Sequence, residues 1–398
     1  MDSRILKMKD EMEQHLKEKI IPFWEGLKDE ENGGFYGYMD FDSLEIDKKY
    51  VKGCILHSRI LWFFSNAYLV LKDEKLLEYA DHAYEFLSKY CFDKENGGIF
   101  WSVNFDGSVN EDLKHTYNQA FCIYALSSYY DASGKEEALK KAYDIYNIVE
   151  TKCKDEGGYL EALTREFEIC DNEKLSENGV MADRTMNTLL HVMEAYSELY
   201  RVDKNGNVAK SLKWIYDCFK NHMYNPTLHR QEVFFDNDYN SLIDLHSYGH
   251  DIETSWLAEV GIRVLDDKEY SDSILPVTAD LADNILKVAF DGHSLNCECE
   301  RGVDNTMKIW WVQAETVLGF FNAYENTGRE DFLEASFAVW EFIKDVIVDK
   351  REGSEWLSEV DKDGVPSTKK PIVEPWKCPY HNGRMCLEII KRVRKMTK

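Results

Sequence analysis

The sequence predicts an all-α protein, an (α/α)6 barrel of six inner and six outer helices in a closed ring, with short β-hairpins between units. Three observations predict it. A Gly-rich aromatic segment recurs along the chain, two unlike helical patterns follow most of its copies, and each end of the chain carries a helix with no partner in its own unit.

The recurring segment reads NGGFYGYMD from Asn32, NGGIFWSVNFDG from Asn96, EGGYLEALTR from Glu156 and EGSEWLSEVDKDG from Glu352. Weaker copies, HRQEVFFDNDYN from His229 and DGHSLNCECERG from Asp291, fill the gap between the third and the last. Each reads as a hairpin, with glycine at the turn and aromatic or β-branched residues in the strands. Gly33, Gly97 and Gly157 stand 64 and 60 residues apart, a period that makes internal repetition the first property to explain. Six units account for the whole chain.

Between hairpins, CILHSRILWFFSNAYLVL is apolar nearly all round, whereas the following EKLLEYADHAYEFLSKY is apolar on one stripe only. The order recurs in TYNQAFCIYALSSYY then EALKKAYDIYNIVE, in TMNTLLHVMEAYSELY then AKSLKWIYDCFKNH, and in WWVQAETVLGFFNAYE then FLEASFAVWEFIKDVI. A helix apolar on every side is buried on every side, so the first of each pair belongs inside and the second outside. The last unit has one helix, HNGRMCLEIIKRVRKM, and the N-terminal helix from Ile5 to Ile20 lacks an inner partner. Pairing these ends closes the ring, which leaves no exposed terminal repeat to cap. No linker rich in Pro, Gly or Ser divides the chain, and residues 1–398 are read as one catalytic domain. A parallel sheet and a phosphate-binding glycine loop both lack their patterns.

Composition narrows the function. With 73 acidic against 48 basic residues the formal charge is −25, which disfavours nucleic acid and anionic membrane as partners. The N-terminal residues are charged and helical with no apolar signal-peptide centre. The apolar stretch Ile60 to Leu71 is interrupted by Ser65 and Asn66 and falls short of the roughly 20 residues a membrane span needs. Ten cysteines scattered through helical segments read as reduced thiols, so a cytoplasmic protein is expected. Cys297 and Cys299 form one close pair without a second at zinc-ligand spacing, and no metal is expected.

Polar groups near the starts of the inner helices point to the function. The six helices bear, in order, His57 and Arg59, His115 and Tyr117, Asn187 and His191, His250 and Glu253, Trp311 and Glu315, and His381 and Arg384. Arg59, Tyr117, Asn187, Glu253, Glu315 and Arg384 are separated by 58, 70, 66, 62 and 69 residues, so they follow the repeat and form a ring at one mouth. A lone buried histidine is most often a satisfied core residue. A convergent set of buried ionisable groups is costly without a task and reads as a pocket. His250 and Glu253, at i and i+3, share a helix face on which the carboxylate is expected to orient the imidazole and raise its proton affinity. Trp311 and Trp376 beside charged groups suit a sugar, whose C–H face stacks on indole while its hydroxyls meet polar side chains.

HSRILWFF (57–64), TMNTLLHVMEAYSELY (185–200), LHSYGHDIETSWL (245–257), WWVQAE (310–315) and PWKCPYHNGRM (375–385) resemble, in order, segments of the cellobiose 2-epimerases of the N-acylglucosamine 2-epimerase superfamily. The resemblance runs through almost the whole chain and implies the same (α/α)6 fold. It also implies interconversion of the reducing-end glucose of cellobiose, lactose and related β-1,4-linked sugars with mannose, without metal or nucleotide cofactor. Carried over by residue, it makes His250 and His381 the acid/base pair and His191 a third histidine for ring opening or enediolate support. Arg59 falls near the reacting O1 and O2, and Glu253 and Glu315 on carboxylates that orient histidines. Trp311 and Trp376 fall on stacking tryptophans, and Tyr117 and Trp256 match as well. Asn187, Arg384 and His57, from their places at the inner-helix starts, are expected to complete the sugar-binding set. The loop 171–181 varies within the superfamily. A monomer or weak homodimer acting on a small-molecule disaccharide is expected.

Paired histidines suit epimerisation, because one neutral imidazole removes a proton alpha to the aldehyde while a charged one returns it on the other face. N-acylglucosamine epimerase or mannose isomerase activity keeps the same histidines. A glycoside hydrolase needs instead two carboxylates flanking a glycosidic bond, and a sugar-binding scaffold has no use for three histidines.

Overall fold

The computed structural model describes residues 2–175 and 178–397. The N-terminal rod is α1 (Ser3–His15), a π turn (Leu16–Ile20) and α2 (Ile21–Glu25). The inner helices are α3 (Cys54–Leu71), α5 (Thr116–Ser133), α7 (Met186–Val202), α9 (Tyr248–Leu265), α11 (Trp310–Thr327) and α13 (His381–Met396). Between them in sequence come the outer helices α4 (Glu74–Phe86), α6 (Glu136–Lys152), α8 (Gly206–Cys218), α10 (Lys268–Val288) and α12 (Glu330–Phe342).

Each inner helix packs on the next, and α13 packs on α3, which closes the inner ring. The outer layer closes where α1 packs on α13, the pairing of chain ends that the repeat pattern predicts. Burial follows the two helix types. In α3 every residue from Cys54 to Ala67 is buried, whereas α4 buries the stripe Leu76, Ala80, Ala83, Tyr84 and Phe86. By length and composition α3 alone, among the described residues, resembles a membrane span, but 78% of it is buried inside the barrel.

Short antiparallel ladders link neighbouring units at the mouth where the inner helices begin. The strand leading into each of α3, α5, α7, α9 and α11 pairs with the hairpin of the following unit, for example Lys52–Gly53 with Ser102–Val103 and Lys308–Ile309 with Glu359–Val360. The sixth link is the bridge from Met39 to Val373, which joins the first hairpin to the approach of α13.

A cation two residues before four of the inner helices is paired with a hairpin acid: Lys52 with Asp29 at 2.7 Å, Lys114 with Asp93 at 3.1 Å, Arg184 with Asp155 at 2.8 Å and Lys308 with Asp291 at 2.5 Å. Lys52 and Lys114 also donate to the carbonyls of Gly33 and Gly97 at 2.7 and 2.8 Å, so each lysine holds its hairpin from both sides. The second glycine of these hairpins has no room for a side chain. A Cβ on Gly34, at φ +68°, would lie 2.6 Å from the His57 imidazole, and one on Gly98, at φ +70°, 2.8 Å from the Gln119 amide.

Candidate active site

The barrel mouth at the inner-helix N-termini opens into a cavity walled by Arg59, Tyr117, Asn187, His191, His250 and Glu253, with Trp311, Trp376 and His381 completing it. These come from all six inner helices and the Pro-rich approach to α13, so the fold brings together nine of the thirteen residues expected there. Of the loop 171–181, Ser176 and Glu177 lie outside the described residues, while Leu175 and Asn178 line the cavity.

His250 and His381 both lie against Trp311, with ring centroids 4.9 and 5.4 Å from the indole. The two histidines are held differently. His381 Nδ1 lies 2.7 Å from Glu315 Oε1, which turns Nε2 away from the carboxylate. His250 Nδ1 lies 2.7 Å from the Ser247 hydroxyl. Burial and the neighbouring His191 push His250 down to about 3. Burial, with Arg384 and Arg59 nearby, likewise pushes His381 well below the usual histidine range. Both imidazoles are therefore neutral at pH 7.

The expectation that Glu253 orients His250 is overturned. Glu253 Oε1 accepts from the Arg384 guanidinium and sits 4.0 Å from His381 Nδ1, so the carboxylate is drawn to a cation on α13 rather than along its own helix. Arg384, expected to bind sugar, is 1% exposed and lies beneath the cavity, donating also to Glu315 at 2.7 Å and to Glu194. Trp256 is below the cavity as well, donating its indole N–H to Glu315 Oε2 at 3.0 Å. Glu315, held between Trp256, Arg384 and His381, forms part of this floor.

His57 does not reach the cavity. Its Nε2 accepts the Phe35 N–H at 3.0 Å, its Nδ1 donates to the Gly53 carbonyl at 2.9 Å, and its ring packs on Phe86. Gln119 and Gln313, at the equivalent position of α5 and α11, each hold the hairpin backbone in the same way, through Ile99 and Leu295. Burial pushes His57 down to about 3, which keeps this acceptor neutral. His115 is also outside the cavity, 3.0 Å from the Asn172 side-chain oxygen.

Two important groups escaped the sequence reading. Glu194 binds His191 Nδ1 at 2.9 Å, and Tyr380 donates to Glu194 at 2.7 Å. Burial opposes the charge on Glu194, but Arg384 and the His191 and Tyr380 hydrogen bonds outweigh it and hold the carboxyl down at about 2. The signal was present, since Glu194 stands three residues after His191 on a helix buried all round.

Arg59 is enclosed by aromatic rings, with Cζ 4.2 Å from the Phe121 centroid and 4.9 Å from that of Tyr380, and it donates to the Tyr117 hydroxyl at 2.8 Å. Among the described residues no carboxylate pairs with it. A buried guanidinium without an anion at a cavity wall is suited to negative charge that arrives with a ligand. Asn187 Oδ1 is likewise buried and unpartnered. Glu253, Glu315 and His381 offer ligand atoms within 4.8 Å of one another, but the Arg384 guanidinium already occupies both carboxylates and would oppose a divalent cation there.

An (α/α)6 ring that gathers histidines, carboxylates and tryptophans at one mouth has the architecture of a carbohydrate-processing enzyme. The N-acylglucosamine 2-epimerase (GlcNAc 2-epimerase) family matches residues 33–382, and the chain belongs to that family. The cellobiose 2-epimerase of Eubacterium cellulosolvens is 54% identical over 398 aligned residues, covering 95% of this chain and 97% of its own. A solved sugar epimerase from a ruminal bacterium has a TM-score of 0.96 at 50% identity, covering 97% of this chain and 99% of that one. The cellobiose 2-epimerase structure from Bacillus thermoamylovorans has a TM-score of 0.93 at 44% identity, with the same coverage. The chain is thus an epimerase by family.

Proposed function

We propose that the protein inverts C2 of the reducing-end glucose in cellobiose, lactose and related β-1,4-linked sugars, giving the mannose epimer without a metal or nucleotide cofactor. The observation that carries this reading is the pair His250 and His381 against one indole, in a cavity whose wall includes the carboxylate-free Arg59. After ring opening, one neutral imidazole removes the proton at C2, and electrons move onto the aldehyde oxygen to give a cis-enediolate. Arg59 and the N–H donors of the cavity stabilise that oxyanion. Its charge raises the proton affinity of the facing imidazole, which takes a proton from solvent and delivers it to the other face of C2 as the aldehyde re-forms, while the first imidazole releases the proton it took to solvent.

His191, fixed by Glu194, is placed to assist ring opening, and Asn187 Oδ1 accepts a sugar hydroxyl. Trp311 covers the reacting ring, and Trp376, over Arg59 and beside Tyr117 and Trp101, serves the second sugar. Residues 1–398 act as one catalytic unit, as a monomer or weak homodimer. The absence of disulfides among the described cysteines fits a reducing cytoplasm.

The test is a product assay with cellobiose, lactose, mannose and N-acetylmannosamine offered separately. Glucosyl-mannose from cellobiose and epilactose from lactose support the proposal. Turnover of N-acetylmannosamine alone, or of mannose alone to a ketose, moves the assignment to the corresponding relative of the family.

A further inference from the structure

Three buried carboxylates, Glu194, Glu253 and Glu315, converge on the single guanidinium of Arg384. With all three ionised, these buried carboxylates would outnumber the one guanidinium that binds them all. Such groups take up a proton rather than remain charged side by side. The hydrogen bonds show where that proton goes.

Both oxygens of Glu194 accept: Oε1 from Arg384 and Tyr380, and Oε2 from His191 and Tyr380. Both oxygens of Glu315 accept as well, Oε1 from His381 and Arg384, and Oε2 from the Trp256 indole. Glu253 differs. Its Oε1 shares an Arg384 nitrogen with Glu315, and its Oε2 receives no donor from any described residue. Glu253 also belongs to the cavity wall, which Glu194 and Glu315 do not.

We propose that Glu253 is a neutral carboxylic acid in the working enzyme, and that its Oε2–H points into the cavity as a hydrogen-bond donor to an oxygen of the sugar. The second half of the proposal rests on the sugar-epimerase reading; the first does not. Glu315 on α11 and Glu194 on α7 favour the neutral form, while Arg384 on α13 and His191 on α7 oppose it, and burial outweighs them to hold the group near 7. Tyr117 on α5 and Tyr380 before α13, both kept protonated by burial, add no charge of their own. His381, itself neutral, lies 4.0 Å from the bonded oxygen rather than the free one. A carboxylic acid held neutral in this way donates where a carboxylate repels, which suits a substrate about to become an enediolate.

The direct test is infrared spectroscopy of the whole protein at about pH 6 and about pH 8.5, on either side of the value of about 7 for Glu253. Wild type should show the carbonyl stretch of a protonated carboxylic acid at the lower pH, shifted in heavy water and lost at the higher pH. E253Q should lack it. E161Q serves as the control, because burial also pushes Glu161 to about 7. A wild-type spectrum unchanged by E253Q would overturn the proposal whatever the enzyme's substrate.

Kinetics test the donor role. The amide of E253Q still donates, so turnover should stay within about tenfold of wild type and lose its alkaline decline, while E253A should fall about 100-fold or more. Equal losses in both variants would refute donation to the sugar. Absence of epimerisation in the wild type would count against the functional reading and leave the infrared result standing.

Discussion

Replacing His57 by alanine separates a histidine that builds the mouth from those that work in it. The imidazole accepts the Phe35 N–H at 3.0 Å and donates to Gly53 at 2.9 Å inside a site with no exposure. Alanine leaves the Phe35 donor buried and unpaired, a cost of about 1–3 kcal/mol. It also opens a void against Phe86, whose ring centroid lies 4.5 Å from the imidazole, at a further cost of about 2 kcal/mol. Destabilisation of about 3–5 kcal/mol should therefore appear in a urea titration, with the turnover of folded molecules within about twofold of wild type. His57→Gln should recover much of the loss, since Gln119 and Gln313 already hold their hairpins from the same helical position. Unchanged stability with turnover reduced 100-fold would show that His57 acts on the substrate, and the structural reasoning would be wrong.

His250→Ala and His381→Ala should each fold and lose epimerisation by several orders of magnitude, because each removes the proton carrier on one face; near-wild-type turnover in either would refute its role. Trp376→Ala should raise KM for cellobiose more than for glucose, because a monosaccharide never reaches the outer stacking surface; equal changes would place Trp376 at the reacting ring. Stability should fall on acidification. His15, His57, His115 and His250 are neutral when folded, pushed by burial from 6.5 to about 4, 3, 4 and 3, so unfolding takes up protons as pH drops below about 6.5. Each contributes a loss of about 1.4 kcal/mol per pH unit in that window. Glu161 and Glu253, raised from 4.5 to about 7, oppose this: their contribution is full below about 4.5 and is lost as pH rises through about 7. The four histidines outweigh the two carboxyls, and a denaturation midpoint that rose between pH 6.5 and 5 would contradict the assignment of neutral buried imidazoles.

The ring was legible because burial on all sides leaves a composition that no surface helix has, as the contrast between α3 and α4 shows. The ladders linking each unit to the next were not, since strands of two or three residues such as Lys52–Gly53 carry no periodicity. The paired cations were equally hidden. Lys52 and Lys114 read as ordinary surface lysines until Asp29 and Asp93 are folded beneath them.

In the site, position along the repeat pointed to Arg59, Tyr117, Asn187, His191, His250, Glu253, Trp311 and His381, which line one cavity together with Trp376 from the loop before α13. What spacing within a helix did not reveal was partner choice. Glu253 and His250 share a turn of α9, yet the buried Arg384 on α13 offers the carboxylate a full positive charge and binds it instead. The same i, i+3 rule holds for His191 and Glu194, where no such competitor draws the carboxylate off the imidazole and Arg384 binds the opposite oxygen. His57 and His115 carried the same letter as the cavity histidines, and only the hairpin and loop packed above them shows their different work.

The central claim is proton transfer at C2 by two histidines, and the label left by solvent tests it most directly. With cellobiose in heavy water, a histidine whose N–H exchanges between turnovers should deliver deuterium to C2 of the reducing-end mannose, with the glycosidic bond intact. Mass spectrometry should find the epimer one mass unit heavier, and proton magnetic resonance should show the reducing-end C2 signal lost. Epimer formed with C2 fully protiated would contradict two-base exchange, and free glucose as the main product would contradict epimerisation altogether.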